Sequence, residues 1–297
     1  MIYDTLIVGG GPAGISAAVY LKRAGKTVAI IEKFAPGGQL NMIDKIENYP
    51  GFVSVEGAEL AVKFYEQARA FEIPFIYEDA KEYLFDGQVK KVVCSKHTYE
   101  AKTVVLALGS FTKPLSVTGE EKFKGRGVSY CATCDGHFFK GKVLAVVGDG
   151  DSALVDAMYL SALAKKVYLL CDQLRPVRVK ESIISSKENV EILRGVKLQK
   201  IEGEGSVNGV VYADADGQKS LAVDGVFVAI GRAPDTTNLR GKLDINADGF
   251  IKTDSVMRTS VAGVYAVGDV REGSLKQVVT AAGDGAIAAT DIIASLA

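Results

Sequence analysis

Two cysteines stand two residues apart in the run Ser129-Tyr130-Cys131-Ala132-Thr133-Cys134-Asp135-Gly136. That spacing lets a small disulfide close and reopen. A helix starting at such a pair lowers the pKa of its first sulfur, which makes that sulfur the attacking thiolate. Asp135, next to the second cysteine, is placed to give a proton to a departing thiolate; a helix cap is the alternative role for the same carboxylate. Half of a zinc site is the competing reading of the cysteine pair. Structural zinc takes four ligands, yet Cys94 and Cys171 stand alone, and neither His97 nor His137 repeats a zinc-finger spacing. Reversible dithiol chemistry is therefore expected, and no metal site.

The remaining residues must position that pair. At 297 residues and 48% hydrophobic, the chain can fill two cores of ordinary size. A net charge of −1 with both signs interspersed gives no global field for nucleic acid or an anionic membrane, and neither is an expected partner. Met1 leads directly into a strand, Ile2 to Val8, with no leader pattern, and no apolar run is expected to reach the roughly 18 residues of a membrane span. A cytoplasmic protein is the expectation. Four cysteines are too few for a disulfide scaffold and suit one reversible pair in a reducing compartment.

Residues 4–32 carry a nucleotide signature. Leu6-Ile7-Val8 reads as a buried strand, Gly9-Gly10-Gly11-Pro12-Ala13-Gly14 as a G-x-G-x-x-G turn, Ile15 to Ala24 as a helix and Thr27 to Ile31 as a strand ending at Glu32. Gly9 permits the tight turn, Gly11 lets the backbone approach a pyrophosphate, and Gly14 lets helix and strand pack closely. Glu32 stands where a carboxylate accepts from an adenosine ribose. Two turn-rich loops follow, Pro36-Gly37-Gly38-Gln39-Leu40 and Glu47-Asn48-Tyr49-Pro50-Gly51, then a helical pattern from Glu59 to Phe71 and a buried strand from Thr103 to Leu108.

After the cysteines the pattern returns. Lys142 to Val147 reads as a strand, Gly148-Asp149-Gly150-Asp151-Ser152-Ala153 as a G-x-G-x-x-A turn, Leu154 to Ala164 as a helix and Val167 to Leu170 as a strand. Two crossovers, 112–115 and 231–235, bracket this repeat. Near the C-terminus Asp269 follows a strand and precedes a helix starting at Val278, where it can hold the ribityl hydroxyls of a flavin while the helix dipole faces the ring. The order predicts an α/β fold of two Rossmann-like dinucleotide-binding domains, the second inserted in the first and carrying the Cys-x-x-Cys pair. Expected bounds are 1–112 and 235–297 for the first domain, which the resemblance given next makes FAD-binding, and 113–234 for the insert.

As an ordered set these segments resemble the low-molecular-weight thioredoxin reductases over essentially the whole chain. The resemblance implies FAD, bound in the first domain by Gly9, Gly11, Pro12, Ala13, Gly14 and Glu32 together with Gly38, Gln39, Leu40 and Asn48. Asp269, Gln277 and Val278 complete the implied set. It also implies that Cys134 is the flavin-side thiol, that Cys131 attacks thioredoxin, that Asp135 is the assisting acid, and that the protein is a homodimer.

NADPH-using members have a glycine at the centre of the second turn, paired glutamates in the next helix and a His-Arg-Arg cluster after the next strand. Here those places hold Asp149, Val155 with Asp156, and Cys171-Asp172-Gln173; Val177 replaces a further arginine, with Arg175 and Arg178 out of register. A 2′-phosphate needs cationic partners, so Asp172 opposes it, although an acid there suits the bare ribose of NADH. Against either nicotinamide stands Asp149: like charges about 6 Å apart at an effective dielectric near 20 repel by roughly 2–3 kcal/mol before screening. The pattern is closest to the ferredoxin-dependent flavin thioredoxin reductases. Ferredoxin as donor and thioredoxin as acceptor is the first reading, a divergent nicotinamide-dependent thioredoxin reductase the second, and a non-catalytic flavin redox sensor the third. Cys94 and Cys171 are expected to be inert buried thiols, Tyr130, Phe138 and Phe139 packing residues, and His137 a surface residue; Lys22, Arg23 and Lys26 form no more than ordinary solvated charge.

Overall fold

The structure, a computed structural model, describes residues 1–176, 179 and 181–296. Strand runs that are apolar on both faces demand parallel pairing under a cover of helices, and each of two units contains such strands, within a mixed sheet in the first and a parallel sheet in the second. The units are Met1–Phe111 with Ala233–Ala297, and Thr112–Arg232.

In the first unit β1 (Ile2–Val8), β2 (Val28–Ile31), β3 (Phe75–Ile76), β4 (Ala80–Leu84), β5 (Lys90–Cys94) and β6 (Thr98–Leu106) run in the order β3-β2-β1-β6-β5-β4. β6 is long enough to pair antiparallel with β5 along its first half, while its second half pairs in parallel with β17 (Val264–Ala266). Leu6, Ile7, Val105 and Leu106 have no exposed surface, each contributing about 1.5–3 kcal/mol of burial. Helix α1 (Pro12–Arg23) begins three residues before the expected Ile15, because proline lacks an N–H and fits a helix's first position. α2 (Gly57–Ala70) covers the same face, as does α6 (Val278–Ser295).

Contrary to the expectation of no long apolar run, α6 has the length and apolarity of a membrane span. Its buried side, which includes Ala281, Gly285, Ala288 and Ile292, belongs instead to the core shared with α1. A Cβ on Gly285 would lie 2.2 Å from the Ala13 carbonyl oxygen, so glycine is what permits that close helix contact.

In the second unit β8 (Val128–Ser129), β9 (Val143–Val147), β10 (Lys166–Cys171), β11 (Val190–Arg194) and β15 (Gly225–Val228) form a parallel sheet in the order β11-β10-β9-β15-β8. Beside it stands an antiparallel meander of β12 (Lys197–Gly203), β13 (Val207–Asp214) and β14 (Gly217–Leu221). The helices are α3 (Ala132–Asp135), α4 (Asp151–Ser161) and α5 (Ser182–Ser185). α4 starts and ends three residues before the expected Leu154 and Ala164: the glycine turn feeds it directly, with Asp151 in its positive first turn. Where the chain crosses between the units, β7 (Phe111–Thr112) pairs with β16 (Arg232–Ala233).

Burial pushes the Asp156 carboxyl on α4 up to about 6. Between the ordinary carboxylate range and that value the folded chain holds a proton that the unfolded chain releases. Stability contributed by this group is therefore fully present at low pH and lost as pH rises through that window. Asp156→Asn is expected to stabilise the protein at pH 7.5 by on the order of 1–2 kcal/mol and to have little effect at pH 4. Thermal unfolding at the two pH values checks this, and an equal effect at both would contradict it.

Candidate functional site

Strand β8 ends at Ser129 and delivers the cysteines to the one-turn helix α3, whose N-cap is Cys131. Cys131 and Cys134 form a disulfide with their Cα atoms 5.3 Å apart. The Cys134 amide donates to Cys131 Sγ at 3.2 Å, an arrangement that favours negative charge on that sulfur once the bond is reduced. Ser129 Oγ donates to Asp135 Oδ2 at 2.6 Å and accepts from the Cys131 amide at 3.1 Å. One hydroxyl thus ties the acid to the first cysteine.

Tyr130 donates its hydroxyl to the buried Glu120 at 2.8 Å, and burial followed by this bond pushes the phenol well above its ordinary value. Phe139 packs edge-on against Phe227, but Phe138 is 52% exposed beside His137, which corrects the expectation that both rings pack. They sit on the 3-10 turn Gly136–Phe139, where adjacent side chains point about 120° apart. Cys94 and Cys171 are buried, and burial pushes the Cys94 thiol up to about 11 and the Cys171 thiol in the same direction.

In the first unit the glycine turn lies at the C-terminal ends of β1 and β2, held by the Gly9 amide donating to the Ile31 carbonyl at 2.8 Å. A Cβ on Gly9 would lie 2.2 Å from the Ala107 oxygen, and one on Gly14 2.0 Å from the Gly9 oxygen. Gly11, the N-cap of α1, is different: a Cβ there meets no heavy atom within 4 Å. The polypeptide itself demands glycine at 9 and 14, whereas Gly11 leaves its neighbourhood clear for a pyrophosphate against the helix N-terminus opened by Pro12 and Ala13.

Glu32 accepts from the Gly10 amide at 2.7 Å and from the Phe34 amide at 2.8 Å, and each carboxylate oxygen keeps a further lone pair for a ribose hydroxyl. The Gly37 amide donates to the Gly10 carbonyl at 2.7 Å, which brings Gly38 beside Gly11. Gln39 Nε2 donates to the Ser110 carbonyl at 2.6 Å, and Leu40 is buried. Asn48 donates to the side chain of Gln277 at 3.0 Å, joining the second loop to the N-cap of α6, where Val278 is the first helical residue. Asp269 lies in the 3-10 turn Gly268–Val270 after β17. The donors and clear backbone on this unit fit FAD.

The second unit repeats the scaffold with one reversal. A Cβ on Gly148 would lie 2.3 Å from the Ala229 oxygen, and one on Gly150 meets nothing within 4 Å. In the first unit the acid after the second strand reaches back to the turn; here Asp149, in the turn, accepts from the Asp172 amide after β10 at 2.8 Å. Its backbone carbonyl also accepts from the Arg175 amide at 2.7 Å. The carboxylate lies between turn and strand end, the side on which Glu32 stands in the first unit. Cys171 is buried with its Sγ directed at the Leu193 carbonyl, Asp172 lies 3.8 Å from Lys197, and Gln173 bonds Arg175. No cation occupies 171–173. Val155 is exposed and Asp156 half-buried, while Val177 and Arg178 lie outside the described residues.

Residues 3–285 match the family described as pyridine nucleotide-disulphide oxidoreductase. A thioredoxin reductase of Bacillus subtilis is 42% identical over 296 residues, 98% of this chain and 94% of that protein. The chain belongs to the thioredoxin reductases of that family. A thioredoxin reductase structure from Streptococcus pyogenes is 42% identical with a TM-score of 0.91, covering 99% of this chain and 98% of that one. A ferredoxin-flavin thioredoxin reductase from Clostridium acetobutylicum is 35% identical with a TM-score of 0.55, over 99% and 98% of the two chains. This thioredoxin reductase homologue is a flavin disulfide oxidoreductase, and its cofactor is FAD. Ser129, Glu120 and Asp284 belong to no motif and emerge only from the structure; an acid inside the apolar α6 was the available signal for Asp284.

Proposed function

We propose that this protein reduces thioredoxin with electrons from reduced ferredoxin, as a cytoplasmic homodimer whose 1–112 and 235–297 segments hold FAD and whose 113–234 insert carries the dithiol. When bound, the flavin supplies electron pairs to the disulfide and accepts electrons one at a time. Cys131, its sulfur facing the Cys134 amide, attacks the thioredoxin disulfide as a thiolate; one S–S bond breaks as the mixed disulfide forms. Asp135 supplies the proton to the departing thioredoxin thiolate. Cys134 then attacks Cys131 Sγ, releasing the second thioredoxin thiol and restoring the Cys131–Cys134 bond.

The observation that carries the choice of donor is the Asp149 carboxylate bonded to the Asp172 amide across the second turn. A nicotinamide dinucleotide at that turn would bring its own negative charge close to this fixed carboxylate, which opposes its binding. The likeness to the Clostridium protein supports the same reading. A nicotinamide donor is the second reading, favoured by a family match that runs through the whole second turn. Steady-state reduction of thioredoxin separates them: multiple turnovers are expected with reduced ferredoxin, and multiple turnovers with NADPH or NADH alone would reverse the order. A redox sensor would show a single turnover with any donor.

A further inference from the structure

Asp284 lies in the second turn of α6, 5% exposed, in a helix otherwise rich in alanine and glycine. Its carboxylate accepts from two residues. Oδ2 accepts from the Gly268 amide at 3.0 Å and from Arg271 Nε at 2.6 Å, and Oδ1 accepts from Arg271 Nη2 at 2.9 Å. Gly268 and Arg271 bracket the turn that carries Asp269, and the Arg271 amide closes it on the Gly268 carbonyl at 3.3 Å. The Arg271 side chain is 19% exposed and bidentate, a geometry that fixes orientation as well as charge.

We infer that the Asp284–Arg271 pair is a positioning device for the flavin, fixing the Asp269 turn against α6. The inference rests on the reading of Asp269 as a ribityl ligand. α6 supplies Gln277 and Val278 at its N-terminus, so one carboxylate ties two parts of the proposed cofactor site to a single rigid body. The third part is tied as well. Gly268 lies against Ala13, where a Cβ would come within 3.0 Å of the Ala13 Cβ, and Gly285, next to Asp284, lets α1 approach α6. Any shift of the 268–271 turn therefore displaces Asp269 relative to both helix N-termini. Neither Asp284 nor Arg271 is asked to touch FAD.

The test is a double-mutant cycle on FAD dissociation, measured by titrating each deflavinated protein with FAD and following flavin fluorescence, with the melting temperature of each apoprotein as control. Asp284→Asn and Asp269→Ala are each expected to weaken FAD at least tenfold. In the Asp269→Ala background, Asp284→Asn should add less than threefold, because it acts through that residue. Arg271→Lys, which keeps the charge and loses the fork, should reproduce the Asp284→Asn effect, and it carries the cycle if Asp284→Asn does not fold. A full tenfold loss persisting in the Asp269→Ala background, or unchanged FAD affinity in Asp284→Asn, would overturn the inference. If Asp269→Ala alone binds FAD normally, the ribityl reading fails with it, and a separate Asp284 effect would then mark a purely structural ion pair.

Discussion

Replacing Cys131 with serine is expected to abolish thioredoxin reduction, a loss of at least a thousandfold, while a long-wavelength thiolate-to-flavin band appears. The two outcomes come from the division of labour between the sulfurs. A serine hydroxyl is a far poorer nucleophile than a thiolate at neutral pH, so the partner disulfide is no longer attacked. Cys134, released from its disulfide, is left as the sole thiol of the pair and gives the band. In Cys134→Ser the band should be absent, whereas thiol trapping should capture Cys131, whose sulfur keeps the donor from the residue-134 amide. Bands in the opposite variants would exchange the two roles.

Gly11→Val is expected to yield a colourless protein, with FAD affinity lowered more than a hundredfold, about 2.7 kcal/mol. The fold should survive, because a Cβ at this position meets no protein atom within 4 Å. Gly14→Val provides the contrast: its Cβ would fall 2.0 Å from the Gly9 oxygen, so the turn itself must deform. Absorbance of the purified protein reports the cofactor and circular dichroism reports the fold. A yellow Gly11→Val with full FAD occupancy would remove the pyrophosphate from this turn.

Local chemistry makes only some of these features legible in the sequence. Gly9 and Gly14 are readable because a tight turn and a close helix contact each admit only glycine, and the alternation of buried strand and helix around them specifies the α/β fold. The cysteine pair is readable because its two-residue spacing is itself the chemical device. The helices begin at Pro12 and Asp151, three residues before the Ile15 and Leu154 that the pattern predicts, since a glycine turn that feeds a helix directly leaves no polar cap to mark the boundary. Phe138 is exposed although its apolarity predicts packing, because the sequence does not show the direction a side chain takes on a 3-10 turn. The Asp149 rotamer was hidden for a related reason: its partner, the Asp172 amide, is 23 residues away and has no side-chain signature. The bonds from Ser129 to Asp135 and from Asp284 to Arg271 are likewise products of tertiary placement.

The central claim concerns the electron donor, and the reductive half-reaction tests it most directly. The oxidised holoprotein is mixed anaerobically with millimolar NADPH or NADH, or with reduced ferredoxin, and the visible flavin absorbance is followed. Because mass action can offset even a hundredfold loss of affinity, rates at saturating donor are compared. The account predicts flavin bleaching within the turnover time with ferredoxin and an oxidised flavin over minutes with both nicotinamides; rapid bleaching by either nicotinamide would contradict it.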